Sequence, residues 1–137
     1  MKPTLGVIED YEHYIYSIPS LYPQIQKSTM IFIRIGRYLA KISGEIYFPK
    51  DVRLRVLQMV DFSRSEILRY SYTVFRGEEK LYWYDPQPHP HIPTLAGTHP
   101  HHKHIQPDIK HNRIPAPKLT FAQPNLPFLI QEIIDNF

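Results

Sequence analysis

The sequence predicts an α+β fold: a five-stranded antiparallel β-meander with N- and C-terminal helices and a long His/Pro-rich loop. Three observations predict it. Apolar residues recur at helical spacing at both ends of the chain. Apolar and polar residues alternate through the middle, as in strands with one wet face. Ten of the fourteen prolines fall between Pro86 and Pro127, where each removes a backbone donor and fixes φ. The 137 residues are read as one domain, because two would each have a thin core.

The first helix is expected over residues 4–18. Leu5, Ile8, Tyr11, Ile15 and Ile18 form its apolar stripe, Pro3 and Thr4 open it, and Pro19 and Pro23 end it. Strands are expected across residues 28–84. Thr29, Ile31, Ile33 and Ile35 alternate with Met30, Phe32 and Arg34, and Gly36-Arg37 turns the chain. Ala40, Ile42, Gly44, Ile46 and Phe48 form the next apolar face. After Pro49-Lys50-Asp51, the row Val52, Leu54, Val56, Val60 and Phe62 is interrupted by Gln58. A fourth strand covers Ile67 to Phe75, with Leu68, Tyr70, Tyr72 and Val74 on one side; Gly77 precedes a fifth, Leu81 to Tyr84. Residues 86–124 read as an extended loop that is neither helix nor inner strand. The last helix spans residues 125–137, with Leu126, Leu129, Ile130, Ile133, Ile134 and Phe137 on one stripe. Asn125 is its natural N-cap and Pro127 suits its first turn.

The net charge of +3 is unevenly spread. Residues 1–26 carry −2, residues 27–84 carry eleven Lys/Arg against six Asp/Glu, and residues 85–137 balance at four each. A basic middle segment suits an anionic partner such as RNA. No apolar run is long enough to cross a bilayer, and no signal-peptide pattern opens the chain. Together with the absence of cysteine, this points most simply to the cytoplasm. Five glycines in no phosphate-binding pattern argue against a nucleotide cofactor, and no cofactor is called for.

Seven of the eight histidines lie beyond residue 85, in His89-Pro-His91, His99-Pro-His101-His102-Lys103-His104 and His111. Imidazole titrates near neutrality. One ring can deprotonate a ribose 2′-hydroxyl while another protonates the leaving 5′-oxygen, without metal. The candidates are His101, His102 and His104 as acid–base groups, with His89 in support. Lys103 or a strand arginine would stabilise charge on phosphorus, and Asp85 would orient a ring from a strand end. A second reading is a metal site, with His101 and His104 joined by His89, His91 or Asp85. A third is purely structural ordering of the loop. Tyr70, Tyr72, Tyr82, Trp83 and Tyr84 form a separate aromatic group. Tyr70, Tyr72 and Trp83 can stack bases while Arg53, Arg55 and Arg69 meet phosphates; core and cross-strand packing is the competing role.

Tyr70-Ser-Tyr72, Leu81-Tyr-Trp-Tyr84-Asp85, Pro88-His89, Ile92-Pro93-Thr94 and Pro100-His101-His102-Lys103-His104 occur in that order. The series resembles the TumE-type toxins of toxin–antitoxin modules, whose pattern runs roughly Y-x-Y-H, F-R-Y-D, P-H-H-P-E-I-x-T-F-P-H-H-K-H. This chain departs from it at Thr73, in place of His, and at Trp83, in place of Arg. Pro90 also splits the first His pair, and three residues are added within Leu95 to Thr98. The resemblance implies a growth-inhibiting toxin with a helix-turn-helix antitoxin partner, of a class that often attacks RNA or translation. The readings left open are a metal-independent ribonuclease, a non-catalytic RNA- or protein-binding module, and a His-ligated metal-dependent hydrolase. A homodimer through a sheet edge or the last helix fits the sequence without being required by it.

Overall fold

The computed structural model describes residues 1–87 and 100–137; His89, His91 and His99 lie outside the described residues. Over them the chain is α+β, with two helices and one antiparallel sheet. The helix α1 runs Ile8–Leu21 and buries Tyr11, Tyr14, Ile15 and Ile18. It begins later than the sequence predicts, because Thr4 does not cap it. The Thr4 Oγ1 instead accepts the Gly6 N–H at 3.0 Å, in a turn ahead of the helix. Nor does Pro19 end it. A proline in the final turn deprives only one carbonyl of its helical donor, and α1 continues to Leu21.

The strands are β1 (Lys27–Ser28), β2 (Ile31–Ile35), β3 (Leu39–Tyr47), β4 (Val52–Asp61), β5 (Glu66–Arg76), β6 (Glu79–Asp85), β7 (His102–Ile105) and β8 (Arg113–Pro115). The described sheet therefore has eight strands rather than five, in the order β1-β3-β4-β5-β6-β7-β8, with β2 also on β3. Both β1 and β2 pair with the same edge of β3, and the irregular step between them at Thr29 and Met30 lies close against Gly44. A Cβ there would lie 2.6 Å from both Met30 Cα and the Thr29 carbonyl oxygen.

The added strands β7 and β8 correct the loop expected over residues 86–124. Proline density hid a proline-free stretch: Pro100 and Pro107 flank β7 without entering it. That strand is an inner one, between β6 and β8, whereas β8 is the sheet edge and ends on Pro115.

Strand alternation sorts the side chains onto two faces. The inner face carries Ala40, Ile42, Ile46, Leu54, Val56, Val60, Ile67, Tyr72 and Val74, all buried. A register shift between Met59 and Val60 puts Ile67 opposite Val60 and leaves Leu68 exposed, contrary to the simple alternation read from sequence. The helix α2 (Leu126–Asn136) buries Leu126, Leu129, Ile130 and Ile133 against the same core. Asn125 stands at the N-cap position as predicted, but its side chain makes no capping hydrogen bond to the helix. The Asn125 amide instead accepts the Thr120 N–H at 3.0 Å and donates to the Thr120 carbonyl at 2.9 Å and the Tyr72 hydroxyl at 3.3 Å.

Gln58, the polar break in the β4 row, is fully buried and joins α1 to the sheet. Its amide donates to the Tyr11 hydroxyl at 2.6 Å and accepts from the Tyr72 hydroxyl at 2.7 Å. Removing it takes the amide donor from the Tyr11 hydroxyl and the acceptor from the Tyr72 hydroxyl, and opens a cavity. Gln58→Ala is expected to lower unfolding stability by about 2–4 kcal/mol in urea denaturation.

Burial raises the hydroxyls of Tyr11, Tyr14, Tyr70, Tyr72, Tyr82 and Tyr84 above the ordinary tyrosine range. In an unfolded chain they ionise near pH 10. Their contribution to stability is therefore complete below about pH 10 and is lost as pH rises past it. On alkaline titration these tyrosines are expected to ionise together with loss of circular dichroism. Full ionisation of every tyrosine in a folded chain would contradict this.

Candidate functional site

Two adjacent strands build the site. On the outer face, Asp85 of β6 lies directly across from His102 of β7, and Trp83 across from His104. Alternation within β7 separates the predicted residues. His102 and His104 point to the outer face, while Lys103 points inward. Its Nζ lies 3.3 Å from Glu132 on α2 and over the Tyr82 ring at 4.2 Å. His101, just before β7, packs on the inner side against Tyr70 and Phe121, with Nδ1 2.5 Å from the Tyr70 hydroxyl.

The outer trio is tightly drawn together. His102 Nε2 lies 3.0 Å from Asp85 Oδ1, and His104 Nε2 lies 3.2 Å from Asp85 Oδ2. The two Nε2 atoms are 3.1 Å apart. Each ring is anchored at its other nitrogen: Nδ1 of His102 on the Pro100 carbonyl and Nδ1 of His104 on the Ile109 carbonyl, both at 3.1 Å. A carbonyl only accepts, so both Nδ1 atoms carry hydrogen and both Nε2 atoms face the carboxylate. Trp83 covers the group: its ring stacks on His104 at 4.1 Å and its Nε1–H donates to Asp85 Oδ2 at 3.1 Å. Burial works to raise the Asp85 carboxyl, but hydrogen bonds from His102 and His104, where their Nε2 atoms carry hydrogen, and from the Gln87 N–H outweigh it and hold it well below the usual carboxylate range. Asp85, His102 and His104 thus present three converging ligand atoms.

The remaining predicted residues are dispersed. Tyr70 and Tyr72 are buried on the inner face and stack on each other at 4.8 Å, leaving no ring face for a base. Arg53 and Arg55 share Glu45, at 3.0 and 3.3 Å, and lie over the Phe75 ring. Arg53 also donates to the Gly77 carbonyl. Arg69 is exposed on the outer face. His89 lies outside the described residues. Sequence reading missed Arg113, which sits across from His104 on β8. Its Nε is buried with no hydrogen-bond partner among the described residues. It also missed Glu132, which accepts from the Tyr84 hydroxyl at 2.8 Å and binds Lys103 from the helix side. The stripe pattern of α2 was legible, but the reach of one polar residue beside it was not.

The sequence model of one protein family, described as Toxin TumE, matches residues 12–137. The chain belongs to the TumE toxin family. No curated protein and no solved structure gives a significant match. In this TumE-family chain two of the four departures read from the sequence are neighbours, while the other two lie outside the described residues: Thr73 pairs with Trp83, and Trp83 with His104. They alter one patch beside the Asp85 group rather than two unrelated places. None of the toxin's described helices is long and apolar enough to cross a membrane.

Burial works to raise the Glu45 carboxyl, but the Tyr47 hydroxyl, Arg53 and Arg55 together hold it below its ordinary value. Its contribution to stability is thus present above about pH 4.3 and fades as pH falls through the lower folded-state value. Glu45→Gln is expected to cost about 0.5–1 kcal/mol at neutral pH in low salt. The difference from wild type should vanish in strong acid when unfolding free energies are compared across pH.

Proposed function

We propose that this TumE-family toxin acts on RNA, and that its working surface is the outer sheet face around Asp85, His102 and His104. The observation that carries the reading is the juxtaposition of this converging group with the Arg113 guanidinium directly across from His104, its Nε buried and without a hydrogen-bond partner among the described residues. A buried cationic donor lacking an acceptor suits an anionic ligand, and the phosphodiester backbone supplies one. Exposed Arg55 and Arg69 on the same face add charge that would attract such a polymer. An antitoxin partner goes with the toxin role.

The geometry changes how the histidines would act. The sequence reading sets one imidazole on each side of a scissile phosphodiester. The Nε2 atoms of His102 and His104 are 3.1 Å apart, too close to admit a phosphate between them, and His101 stands on the other face. His102 and His104 therefore act as one unit with Asp85, and His101 with Lys103 supports the fold from the inner side. The proposed activity is phosphodiester cleavage at that unit.

Induced expression tests it. Wild-type chain is expected to arrest growth and shorten cellular RNA, whereas Asp85→Asn and His104→Ala, checked for folding by circular dichroism, are expected to lose at least about tenfold of the cleavage rate. Equal toxicity from all three would overturn the reading. RNA retained by the wild-type chain without cleavage would instead support a binding module. The product ends report the attacking group: a 2′,3′-cyclic phosphate marks the 2′-hydroxyl, and an uncyclised phosphate marks water.

A further inference from the structure

We propose that Asp85, His102 and His104 bind a divalent transition-metal ion, zinc foremost, through the Asp85 carboxylate and two imidazole Nε2 atoms. The argument begins with hydrogen counting. Both Nδ1 atoms spend their hydrogens on the Pro100 and Ile109 carbonyls. With neutral rings, the three edges of the group (His102 Nε2 to Asp85 Oδ1, His104 Nε2 to Asp85 Oδ2, and Nε2 to Nε2) all join acceptor to acceptor. One added proton serves the two edges that meet at its nitrogen, yet leaves the other Nε2 facing a carboxylate oxygen without hydrogen. Two added protons put a pair of charged rings in contact, almost wholly buried, beside a single carboxylate. A cation at the centre satisfies all three edges together.

The dimensions agree. The two Nε2 atoms are 3.1 Å apart, and each meets its own oxygen of the Asp85 carboxylate, His102 on Oδ1 at 3.0 Å and His104 on Oδ2 at 3.2 Å. Ligand bonds of about 2.0–2.1 Å place neighbouring donors roughly 3.0–3.4 Å apart in octahedral or tetrahedral geometry. The surroundings are those of a metal centre as well. Backbone carbonyls fix each ring at the nitrogen away from the ion, and the Trp83 N–H holds a carboxylate oxygen. Two imidazoles and one carboxylate favour zinc, iron or nickel over magnesium or calcium, which take oxygen ligands. Three protein ligands leave a coordination position open, as in catalytic rather than structural zinc sites. Arg113 lies on the same face as that group. Metal binding here deepens the RNA reading of the same surface, in which the open position would receive water or a phosphate oxygen.

The test uses the full-length chain without a His tag, freed of metal by chelator and dialysis, and titrated with Zn²⁺ alone. One equivalent is expected to bind, with a change in the fluorescence of Trp83, the chain's single tryptophan, and a rise in Tm. Co²⁺ is expected to give visible absorption bands from nitrogen and oxygen ligands. Asp85→Asn keeps the shape of the side chain and is expected to weaken binding by roughly tenfold or more. His104→Ala, in samples folded by circular dichroism, is expected to abolish it. His111→Ala, which alters an exposed ring paired with Asp108, should bind like wild type. A folded wild-type chain that takes up no zinc, or an Asp85→Asn chain that binds equally well, overturns the proposal. The titration contains no RNA, so the two readings fail separately. Zinc binding with RNA left intact removes only the RNA reading, and cleavage by a metal-free chain that ignores chelator removes only the metal.

Discussion

The pairing of β7 with β6 is the constraint on which the rest of this structure depends. Once His102 stands opposite Asp85 and His104 opposite Trp83, the two-residue period of a strand decides where every nearby side chain goes. Consecutive residues of one short segment acquire different tasks. His102 and His104 face the carboxylate, while Lys103 turns inward to Glu132 and the rings of Tyr82 and Tyr84. A register slip by one residue would exchange them, setting a lysine against Asp85 and two imidazoles in the core. The inward contacts hold the register from behind. Glu132 of α2 grips both Lys103 and the Tyr84 hydroxyl, so helix packing and strand pairing support each other.

Polar groups are spent differently on the two faces. Inside, Gln58 and Asn125 tie the hydroxyls of Tyr11 and Tyr72 into a satisfied network, which lets a largely tyrosine-lined core stay buried. Outside, Glu45 gathers Arg53 and Arg55 at one end of the sheet, and the basic character of the middle segment is partly consumed there. What remains around Asp85 is of another kind: a carboxylate kept ionised, two imidazoles of fixed orientation, and a guanidinium whose Nε lacks a partner among the described residues. Groups left in such tension within a fold point to chemistry rather than to stability.

Membership of the TumE toxin family fits this division of labour. The substitutions that set this chain apart from the toxin pattern, Thr73 and Trp83, fall in one cross-strand row ending at His104. An indole at that position retains an N–H for Asp85 and supplies a flat surface for the imidazole. The patch can therefore differ in side-chain type while still holding the carboxylate and the ring.

The sequence by itself determined the fold class, the stripes of both helices, the alternation of β3 and β4, and the density of imidazole near Asp85. These are local periodicities of 3.6 and 2 residues, written in apolar side chains. It misjudged features that turn on backbone accounting: Pro19 as a stop, and a proline-rich stretch that conceals β7 and β8; Asn125 holds the N-cap position, but its side chain is bonded elsewhere. Only tertiary structure decided which histidines meet. Strand register splits His101 from His102 and His104, and the carbonyls of Pro100 and Ile109 that orient the rings are backbone groups every residue possesses. Arg113 enters the site through pairing with a strand nine residues before it in the chain, a contact without local pattern. Composition can gather titratable groups into a segment, but their relative orientation is set by non-local hydrogen bonds.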